Sequence, residues 1–326
     1  MSAVERRLSM LSSKLSIFLR RFSVTASKTA NLNIGGIYPP IATPFDPSEN
    51  IDYGKLNENL KVWEAIPFRG YVVQGSNAET AYLKLDEKVN IVKHVRENVP
   101  SEKLVIAGSG CESTKETVES CQRMSEVGAD AVLVRNPCFY KGSMTDKALI
   151  QHYRTVADNC DIPVILYSVP ANTGLELPEN VIVELSSHQN IIGLKDSGGD
   201  ITKLAGLAFR TSKNNFQLLA GSASFLLPSY VVGCVGGVCA LANILGQACC
   251  DLEKLFKEGK FEEAKLLQQR LVAPNQAITK RFGIAGLKSG MDMFGLYGGP
   301  TRTPILPLEN SQIELLREAF KNSNFI

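Results

Sequence analysis

The sequence predicts a (β/α)8 barrel, an α/β fold, followed by a C-terminal helical extension. From Gly35 onward, eight short apolar runs alternate with longer amphipathic runs, which indicates repeated strand–helix units and a parallel sheet. The apolar runs are rich in Val, Ile and Leu without strict alternation, as expected of strands buried on both faces. Eight such units match a TIM barrel. The alternative, an open doubly wound sheet, lacks a GxGxxG fingerprint after the first strand.

Each predicted strand is one of the apolar runs. In order they are GGIYPPIATPF (35–45), GYVVQGS (70–76), KLVIAGSG (103–110), DAVLVRNP (130–137), IPVILYSVP (162–170), NIIGLKDSGG (190–199), FQLLAGS (216–222) and VGGVCALAN (235–243). The predicted helices between them cover Tyr53–Ile66, Asp86–Asn98, a stretch from about Ser113, Thr145–Asn159, Pro178–Ser187, Ile201–Phe209 and Phe225–Val232. The STKE sequence at Ser113 has the pattern of a capping box, and proline suits the first turn at Pro178.

Further helical patterns follow the eighth unit. They cover Leu252–Glu258, Glu262–Leu271, Asn275–Phe282 and Gln312–Asn322, and no low-complexity linker separates them from the repeats. We therefore predict a barrel over residues 31–250 and a helical extension over 251–326 that packs on it.

The first thirty residues have a different composition. Residues 1–30 contain six basic residues, one acid and seven serines, with Arg and Lys alternating with Leu and Ile. An amphipathic segment that is rich in Arg and Ser and poor in acids is typical of a mitochondrial transit peptide. We predict import into the mitochondrial matrix; the alternative is a disordered basic tail.

The overall composition excludes several functional classes. The net charge of +2 gives no general attraction to nucleic acid, and no apolar run reaches the roughly 18 residues that a membrane span needs. The eight cysteines form no CxxC, and none of the three histidines lies three or four residues from another His or a Cys. We therefore expect no metal site, no disulfide scaffold and small buried thiols.

The active site of such a barrel lies at the carboxyl ends of its strands, where polar residues of this sequence collect. They are Thr43, Ser76, Asn77, Glu79, Ser109, Asn136, Tyr167, Lys195, Ser197 and Ser222. Lys195 is the only lysine among them. Because burial disfavours the charged form, an amine walled by apolar strands is available to attack a ketone and form a Schiff base. The alternative is a lysine that extends into solvent and pairs with Asp196 or Asp200.

Two further features of the mouth fit this chemistry. A tyrosine that ends a buried strand needs a partner for its hydroxyl, and Tyr167, placed across the mouth from Lys195, is suited to proton transfer. The GSNAE turn supplies hydroxyl, amide and backbone N–H donors that suit a carboxylate. The alternatives are a rim aromatic and an ordinary strand-to-helix turn capped by Ser76 or Asn77.

Five motifs in order resemble the dihydrodipicolinate synthase/N-acetylneuraminate lyase family of class I aldolases. They are GSNAE (75–79), YSVPANTG (167–174), GLKDSGGD (193–200), AGSASF (220–225) and GGVCALAN (236–243). The resemblance runs from about Gly35 to the C-terminus. It implies that Lys195 is the Schiff-base lysine and Tyr167 the proton-transfer residue. It also assigns the 2-oxo acid carboxylate to Ser76 and Asn77, with further substrate contacts at Ser197 and Gly221.

Within the family, the resemblance is strongest to the branch that cleaves 4-hydroxy-2-oxoglutarate to pyruvate and glyoxylate in hydroxyproline breakdown. It implies a small 2-oxo acid as substrate, no metal or organic cofactor, and a homotetramer built as a dimer of dimers. Two alternatives stay open: a lyase on another 2-oxo acid, such as a sialic acid, and a 2-oxo acid binding protein or low-activity partner subunit.

The sequence departs from the family pattern at three positions. Ala78 replaces the usual glycine of the GxxGE turn, which would strain the turn only at a positive φ. Phe139 aligns with a tyrosine that the family supplies from a partner subunit, although Tyr140 follows it directly. Asn172 stands where the synthase branch has an arginine, which argues against a dihydrodipicolinate synthase.

Overall fold

A computed structural model of the chain describes residues 32–326, and its centre is a sheet of eight parallel strands. The predicted transit peptide lies outside the described residues. Each predicted apolar run contains one strand, so all eight strand predictions are confirmed. The strands are β1 (Gly36–Tyr38), β2 (Gly70–Val73), β3 (Leu104–Gly108), β4 (Ala131–Arg135), β5 (Val164–Ser168), β6 (Ile191–Asp196), β7 (Gln217–Ala220) and β8 (Gly236–Val238).

The strands follow chain order around the sheet, and β1 pairs with β8. Between β1 and β2, Pro40 and Val72 form a parallel bridge, and the Val72 N–H donates to the Pro39 carbonyl at 3.1 Å. The sheet therefore curls into a nearly closed barrel, and the predicted (β/α)8 fold is confirmed.

Helices connect consecutive strands. They are α1 (Tyr53–Trp63), α2 (Leu85–Asn98), α3 (Thr114–Glu126), α4 (Asp146–Asp158), α5 (Glu179–Leu185), α6 (Ile201–Arg210) and α7 (Leu226–Val231), with a one-turn helix at Pro170–Thr173. Ser113 is the N-cap of α3, since its hydroxyl accepts from the Glu116 N–H at 3.1 Å, which is one half of the predicted capping box. Helix α5 is shorter than predicted, because Pro178 precedes its first turn as the N-cap.

Alternate residues along the strands belong to two separate hydrophobic clusters, one inside the barrel and one between the strands and the helices. Along β4, Ala131 and Leu133 belong to the cluster inside the barrel, whereas Val132 and Val134 pack in the cluster between strands and helices. Both faces are thus buried, which explains the continuous apolar runs of the sequence. Tyr167 belongs to the inner cluster, so the row of side chains at the carboxyl ends also points inward.

The C-terminal extension is more continuous than predicted. It contains α8 (Gly246–Lys257), α9 (Phe261–Gln276), α10 (Gly283–Met293) and α11 (Asn310–Lys321). The prediction of a separate helix at Asn275–Phe282 is wrong, because α9 passes through Pro274 and continues into a π-helical turn at Ala277–Arg281. The domain division at residue 250 stays a prediction; α8 begins before it and ends after it.

Helix α10 was not predicted, because Gly283, Gly286 and Gly290 lower its helix propensity. Steric crowding, local at Gly286 and tertiary at Gly290, accounts for two of these glycines. A Cβ at Gly286 would lie 2.5 Å from the Phe282 Cβ, and one at Gly290 would lie 2.7 Å from the Ile244 Cδ1. Close packing therefore outweighs local propensity here.

Two negative findings apply to residues 32–326. No helix there has the length and apolar character that a membrane crossing requires. No group of three or more His, Cys, Asp or Glu side chains is placed to hold a metal ion. All eight cysteines lie within these residues as free thiols, and six of them are buried.

Candidate active site

Lys195 and Tyr167 lie side by side at the carboxyl ends of β6 and β5. They are register partners on adjacent strands, and Lys195 Nζ lies 4.1 Å from the centroid of the Tyr167 ring. Lys195 is only 3% exposed, although it carries an amine. The two side chains are therefore neighbours rather than partners across the mouth, which corrects the predicted arrangement.

Lys195 does not extend into solvent to pair with the nearby acids. Asp196 projects to the opposite face of β6, where its carboxylate lies 3.0 Å from Lys203 Nζ. Asp200 caps helix α6 by accepting from the Lys203 N–H at 3.1 Å. Both acids thus contact Lys203 and not Lys195, and the solvent-exposed alternative for Lys195 is excluded.

The surroundings of Tyr167 favour loss of its phenolic proton. Burial alone would raise the pKa of Tyr167, but the charge of Lys195 and interactions with the hydroxyl groups of Ser76 and Ser197 outweigh it. The pKa therefore lies below its ordinary value. The Ser76 Oγ and the Tyr167 Oη lie 3.3 Å apart, a weak hydrogen bond in which either oxygen can donate.

The GSNAE segment forms a 3-10 turn over Ser76–Ala78 directly after β2. Ala78 is buried in this turn with an ordinary φ, and its carbonyl accepts from the Thr43 hydroxyl at 2.8 Å. The positive φ values lie on the flanking residues Gln74 (72°) and Glu79 (56°). Alanine is therefore compatible with this turn, and the family's glycine is not needed here.

Glu79 fixes the end of this turn through contacts with the C-terminal extension. Its Oε2 accepts from the Arg302 N–H at 2.7 Å, and its Oε1 lies 2.7 Å from Lys288 Nζ. The Glu79–Lys288 contact is a close, buried ion pair whose angles are not those of a hydrogen bond. Lys288 lies on α10, the helix that the sequence analysis missed.

Ser197 and Gly221 bring the ends of β6 and β7 into close contact. The Gly221 N–H donates to the Asp196 carbonyl at 2.7 Å. A Cβ at Gly221 would lie 2.1 Å from the Ser197 Oγ and 2.6 Å from the Asp196 carbonyl oxygen. Only glycine fits without movement of the strands, and its smallness keeps Ser197 beside Tyr167.

Asn77 is less closely connected to the site. It lies in the same turn as Ser76 and is partly exposed. Among the described residues, no hydrogen bond links it to Lys195, Tyr167 or Ser197. Its proposed contact with a carboxylate stays a prediction.

Arg135 at the end of β4 is a site residue that the sequence analysis missed. It lines a cavity of about 30 Å³ with Tyr167 and Ser76, and a wider cavity of about 400 Å³ with Ser76 and Asn172. A charged residue at the end of a buried strand was the available signal, as it was for Lys195. The neighbouring Asn136, which the sequence pattern favours, is fully buried.

Phe139 and Tyr140 carry exposed side chains, and neither residue lines the two cavities beside Ser76. They are 76% and 72% exposed, and their rings contact each other at 5.1 Å between centroids. Within one chain, neither ring therefore substitutes for the tyrosine that the family places near the proton-transfer residue.

A parallel barrel with a lysine buried beside a tyrosine at its carboxyl mouth is the architecture expected of a lysine-dependent aldolase. The chain belongs to the dihydrodipicolinate synthetase family, whose sequence model matches residues 33–323. It is therefore a lyase of the class I aldolase type, the class that forms a Schiff base with pyruvate.

Individual relatives agree on the class but differ in their named activities. The chain is 32% identical to a probable mitochondrial 4-hydroxy-2-oxoglutarate aldolase from Emericella nidulans, over 89% of this chain and 95% of that protein. It is 31% identical to a 4-hydroxy-tetrahydrodipicolinate synthase from Methanothrix thermoacetophila, over 87% and 95%. A crystal structure of a dihydrodipicolinate synthase from Bacillus anthracis matches with a TM-score of 0.85 at 28% identity, covering 89% of this chain and 99% of that chain.

Proposed function

We propose that this lyase cleaves 4-hydroxy-2-oxoglutarate to pyruvate and glyoxylate, with Lys195 as the Schiff-base residue. The observation that carries the proposal is the placement of the Lys195 amine, 3% exposed, 4.1 Å from the centroid of the Tyr167 ring. An amine held inside the barrel at the active-site end is positioned for the ketone carbon of a 2-oxo acid.

The reaction begins at the C2 ketone. Lys195 Nζ adds to C2, water leaves, and the resulting imine takes up the phenolic proton of Tyr167, which becomes a phenolate. Tyr167 then removes the proton from the C4 hydroxyl, and its lowered pKa suits it to this step. The C3–C4 bond breaks, its electron pair moves into the imine to give an enamine, and glyoxylate leaves as the aldehyde.

The return half of the cycle restores the enzyme. Tyr167 passes the proton it took from the C4 hydroxyl to C3 of the enamine, which regenerates the protonated imine. Water then hydrolyses this imine to pyruvate and the free lysine, and the proton released restores the Tyr167 hydroxyl. The Ser76 hydroxyl, 3.3 Å from the Tyr167 hydroxyl, supplies a path by which the proton moves towards the mouth. No metal or organic cofactor enters this sequence, because the imine itself accepts the electron pair.

The remaining predicted residues hold the substrate in this proposal. Ser76 and Asn77 bind the carboxylate next to the ketone, using the hydroxyl, amide and backbone N–H groups of the 3-10 turn. Ser197 and Gly221 complete the wall beside the imine. The absence of a guanidinium at Asn172 supports this reaction over the synthase activity of the equally similar archaeal relative.

The proposed setting is the mitochondrial matrix, and the proposed assembly is a homotetramer built as a dimer of dimers. The composition of residues 1–30 supports the location, as does the word mitochondrial in the name of the fungal relative. Expression of the full chain with a C-terminal fluorescent tag tests the location, and light scattering tests the assembly.

Reduction of the imine tests the chemistry. The full-length protein is incubated with pyruvate, with and without borohydride, and analysed by intact mass and peptide mapping. A reduced pyruvate adduct on Lys195 is expected, and Lys195→Met is expected to lose both the adduct and turnover while remaining folded. An adduct on another lysine, or none in a folded sample, contradicts the assignment.

Turnover distinguishes the second candidate, a 2-oxo acid binding protein or low-activity partner subunit. The phenylalanine at position 139 favours this candidate, because it lacks the hydroxyl of the tyrosine with which it aligns in the family. An adduct on Lys195 together with negligible release of glyoxylate from 4-hydroxy-2-oxoglutarate would establish it.

A further inference from the structure

Arg135 lies in the same row of inward-pointing side chains as the proposed catalytic pair. In the strand register, Arg135 pairs with Tyr167, and Tyr167 pairs with Lys195. Register partners on neighbouring parallel strands project to the same face of a sheet. The alternation along β4 agrees, because Ala131 and Leu133 belong to the inner cluster. Arg135 therefore lies one strand beyond Tyr167, on the side away from Lys195.

Arg135 also borders two cavities at the mouth of the barrel that Ser76 lines. Arg135 and Ser76 line both the cavity of about 30 Å³ and the cavity of about 400 Å³, and Tyr167 lines the smaller one. A ligand that contacts Ser76 and Tyr167 therefore has Arg135 within the same wall. Asn172, which also lines the larger cavity, carries no charge.

Glu112 fixes the position of the guanidinium but occupies only some of its N–H donors. Arg135 Nη2 lies 2.9 Å from Glu112 Oε1, and Nη1 donates to the Asn136 carbonyl at 3.0 Å. Glu112 Oε2 is itself fixed by the N–H groups of Cys138 and Phe139 at 2.9 and 2.8 Å. A guanidinium has five N–H donors, so these contacts leave donors for another carboxylate.

The Glu112 carboxylate stays ionised at this position. Partial burial alone would raise the pKa of Glu112, but the N–H groups of Phe139 and Cys138 and the charge of Arg135 lower it to about 2. The carboxylate therefore stays ionised across the physiological range and orients Arg135. Because the carboxylate of Glu112 is partly exposed, it does not depend on Arg135 alone for its solvation.

We propose that Arg135 binds the substrate carboxylate remote from the imine and thereby selects dicarboxylic 2-oxo acids. The inference rests on the proposed function for the identity of the substrate. In 4-hydroxy-2-oxoglutarate this carboxylate is attached to C4, the carbon whose hydroxyl faces Tyr167. An arginine next to the tyrosine is thus on the side where the glyoxylate half of the substrate lies. Arginine suits this role because its planar donors match a carboxylate.

The test compares two substrates that differ only in this carboxylate. Cleavage of 4-hydroxy-2-oxoglutarate and of 4-hydroxy-2-oxopentanoate, which carries a methyl group instead, is measured for wild type and Arg135→Met. We expect kcat/KM to fall about 10- to 100-fold for the dicarboxylate, from the lost charge-assisted hydrogen bonds, and less than threefold for the analogue. Arg135→Lys should recover part of the difference.

Two controls separate recognition from other effects. Lys141→Met removes an exposed cation from the same β4–α4 connection and should leave the ratio of the two substrates unchanged. Equal losses on both substrates in Arg135→Met would assign Arg135 to support of the Cys138–Phe139 segment and overturn the proposal. If Lys141→Met lowers the ratio of kcat/KM for the two substrates as much as Arg135→Met does, the effect comes from general electrostatics, and the proposal is also overturned.

A binding measurement separates this inference from the proposed function. Calorimetry compares 2-oxoglutarate with 2-oxopentanoate, which has the same chain length without the second carboxylate. Tighter binding of 2-oxoglutarate that disappears in Arg135→Gln supports the inference even where no lysine adduct is trapped. Equal affinities in a wild-type protein that forms the Lys195 adduct overturn the inference and leave the proposed function standing.

Discussion

Lys288 Nζ lies 2.7 Å from Glu79 Oε1, and both side chains are almost completely buried. The pair joins the turn that carries Ser76 to helix α10. Lys288 also donates to the Pro300 carbonyl at 2.7 Å and lies over the Phe45 ring at 4.5 Å. The candidate carboxylate site is thus supported by a buried charge from the other end of the chain.

Lys288→Met should destabilise the protein by about 3–5 kcal/mol, because it leaves the buried Glu79 carboxylate without its counter-ion. Chemical denaturation measures the change. The double variant Glu79→Gln/Lys288→Met should regain part of the loss, since no stranded charge remains. Lys254→Met, which removes an exposed ion pair with Glu258, is the control and should change the stability by less than about 1 kcal/mol. A similarly small change in Lys288→Met would show that the pair does not stabilise the fold.

Tyr167→Phe should separate the two halves of the proposed reaction. Removal of the hydroxyl eliminates the contact with Ser76 but keeps the ring beside Lys195. We expect the borohydride-trapped pyruvate adduct to persist, while kcat for cleavage falls about 10²- to 10⁴-fold. Loss of the adduct would mean that the hydroxyl is needed for imine formation itself, and unchanged kcat would remove Tyr167 from the proton path.

Gly221→Ala should damage the site through packing alone. Its Cβ would lie 2.6 Å from the Asp196 carbonyl oxygen, a backbone atom that cannot move without the strand. We expect a loss of about 1–3 kcal/mol of stability, together with weaker pyruvate binding. Gly142→Ala is the matched control, because nothing lies within 4 Å of its added Cβ. Equal behaviour of the two variants would show that β6 and β7 tolerate a wider separation.

His152 should make the stability depend on pH below neutrality. Burial, with a smaller contribution from the charge of Arg135, lowers the pKa of His152 to about 4 from an ordinary 6.5. Between these values the unfolded chain binds the extra proton, so the free energy of unfolding should fall as the pH falls from 6.5 towards 4.

His152→Asn should reduce the dependence of the free energy of unfolding on pH between 6.5 and 4, even if the variant is less stable at pH 8. Asparagine retains a polar group for the Thr114 hydroxyl, which lies 2.9 Å from the His152 Nδ1. Unfolding in denaturant at several pH values measures the slope. An unchanged slope in the variant would assign the acid sensitivity to other groups.

The sequence alone is enough to predict the barrel and most of the residues at its mouth. Strands buried on both faces leave long apolar runs, and polar residues at their ends are therefore conspicuous. Lys195 was identifiable for this reason, and its position is as predicted. The adjacency of Tyr167 and Lys195 was also within reach, since β5 and β6 are consecutive and consecutive strands are usually neighbours.

Contacts between distant parts of the chain were not predictable. Lys288 lies in a glycine-rich helix whose local propensity is low, and nothing near it in sequence indicates a buried acid as its partner. Gln74 and Glu79 adopt positive φ values that their residue types do not signal. Arg135 and Asn136 are consecutive polar residues at the end of β4, and the sequence does not indicate which of the two side chains faces the inside of the barrel.

Glu79 and Arg302, whose contact holds the end of the Ser76–Ala78 turn, are 223 positions apart. Because the ribosome makes the amino end first, the turn lacks its contact with Arg302 until the last part of the chain has been synthesised. A prematurely terminated product retains the strand bearing Lys195 but lacks the residues that hold the turn opposite it. We therefore expect activity only in the complete chain.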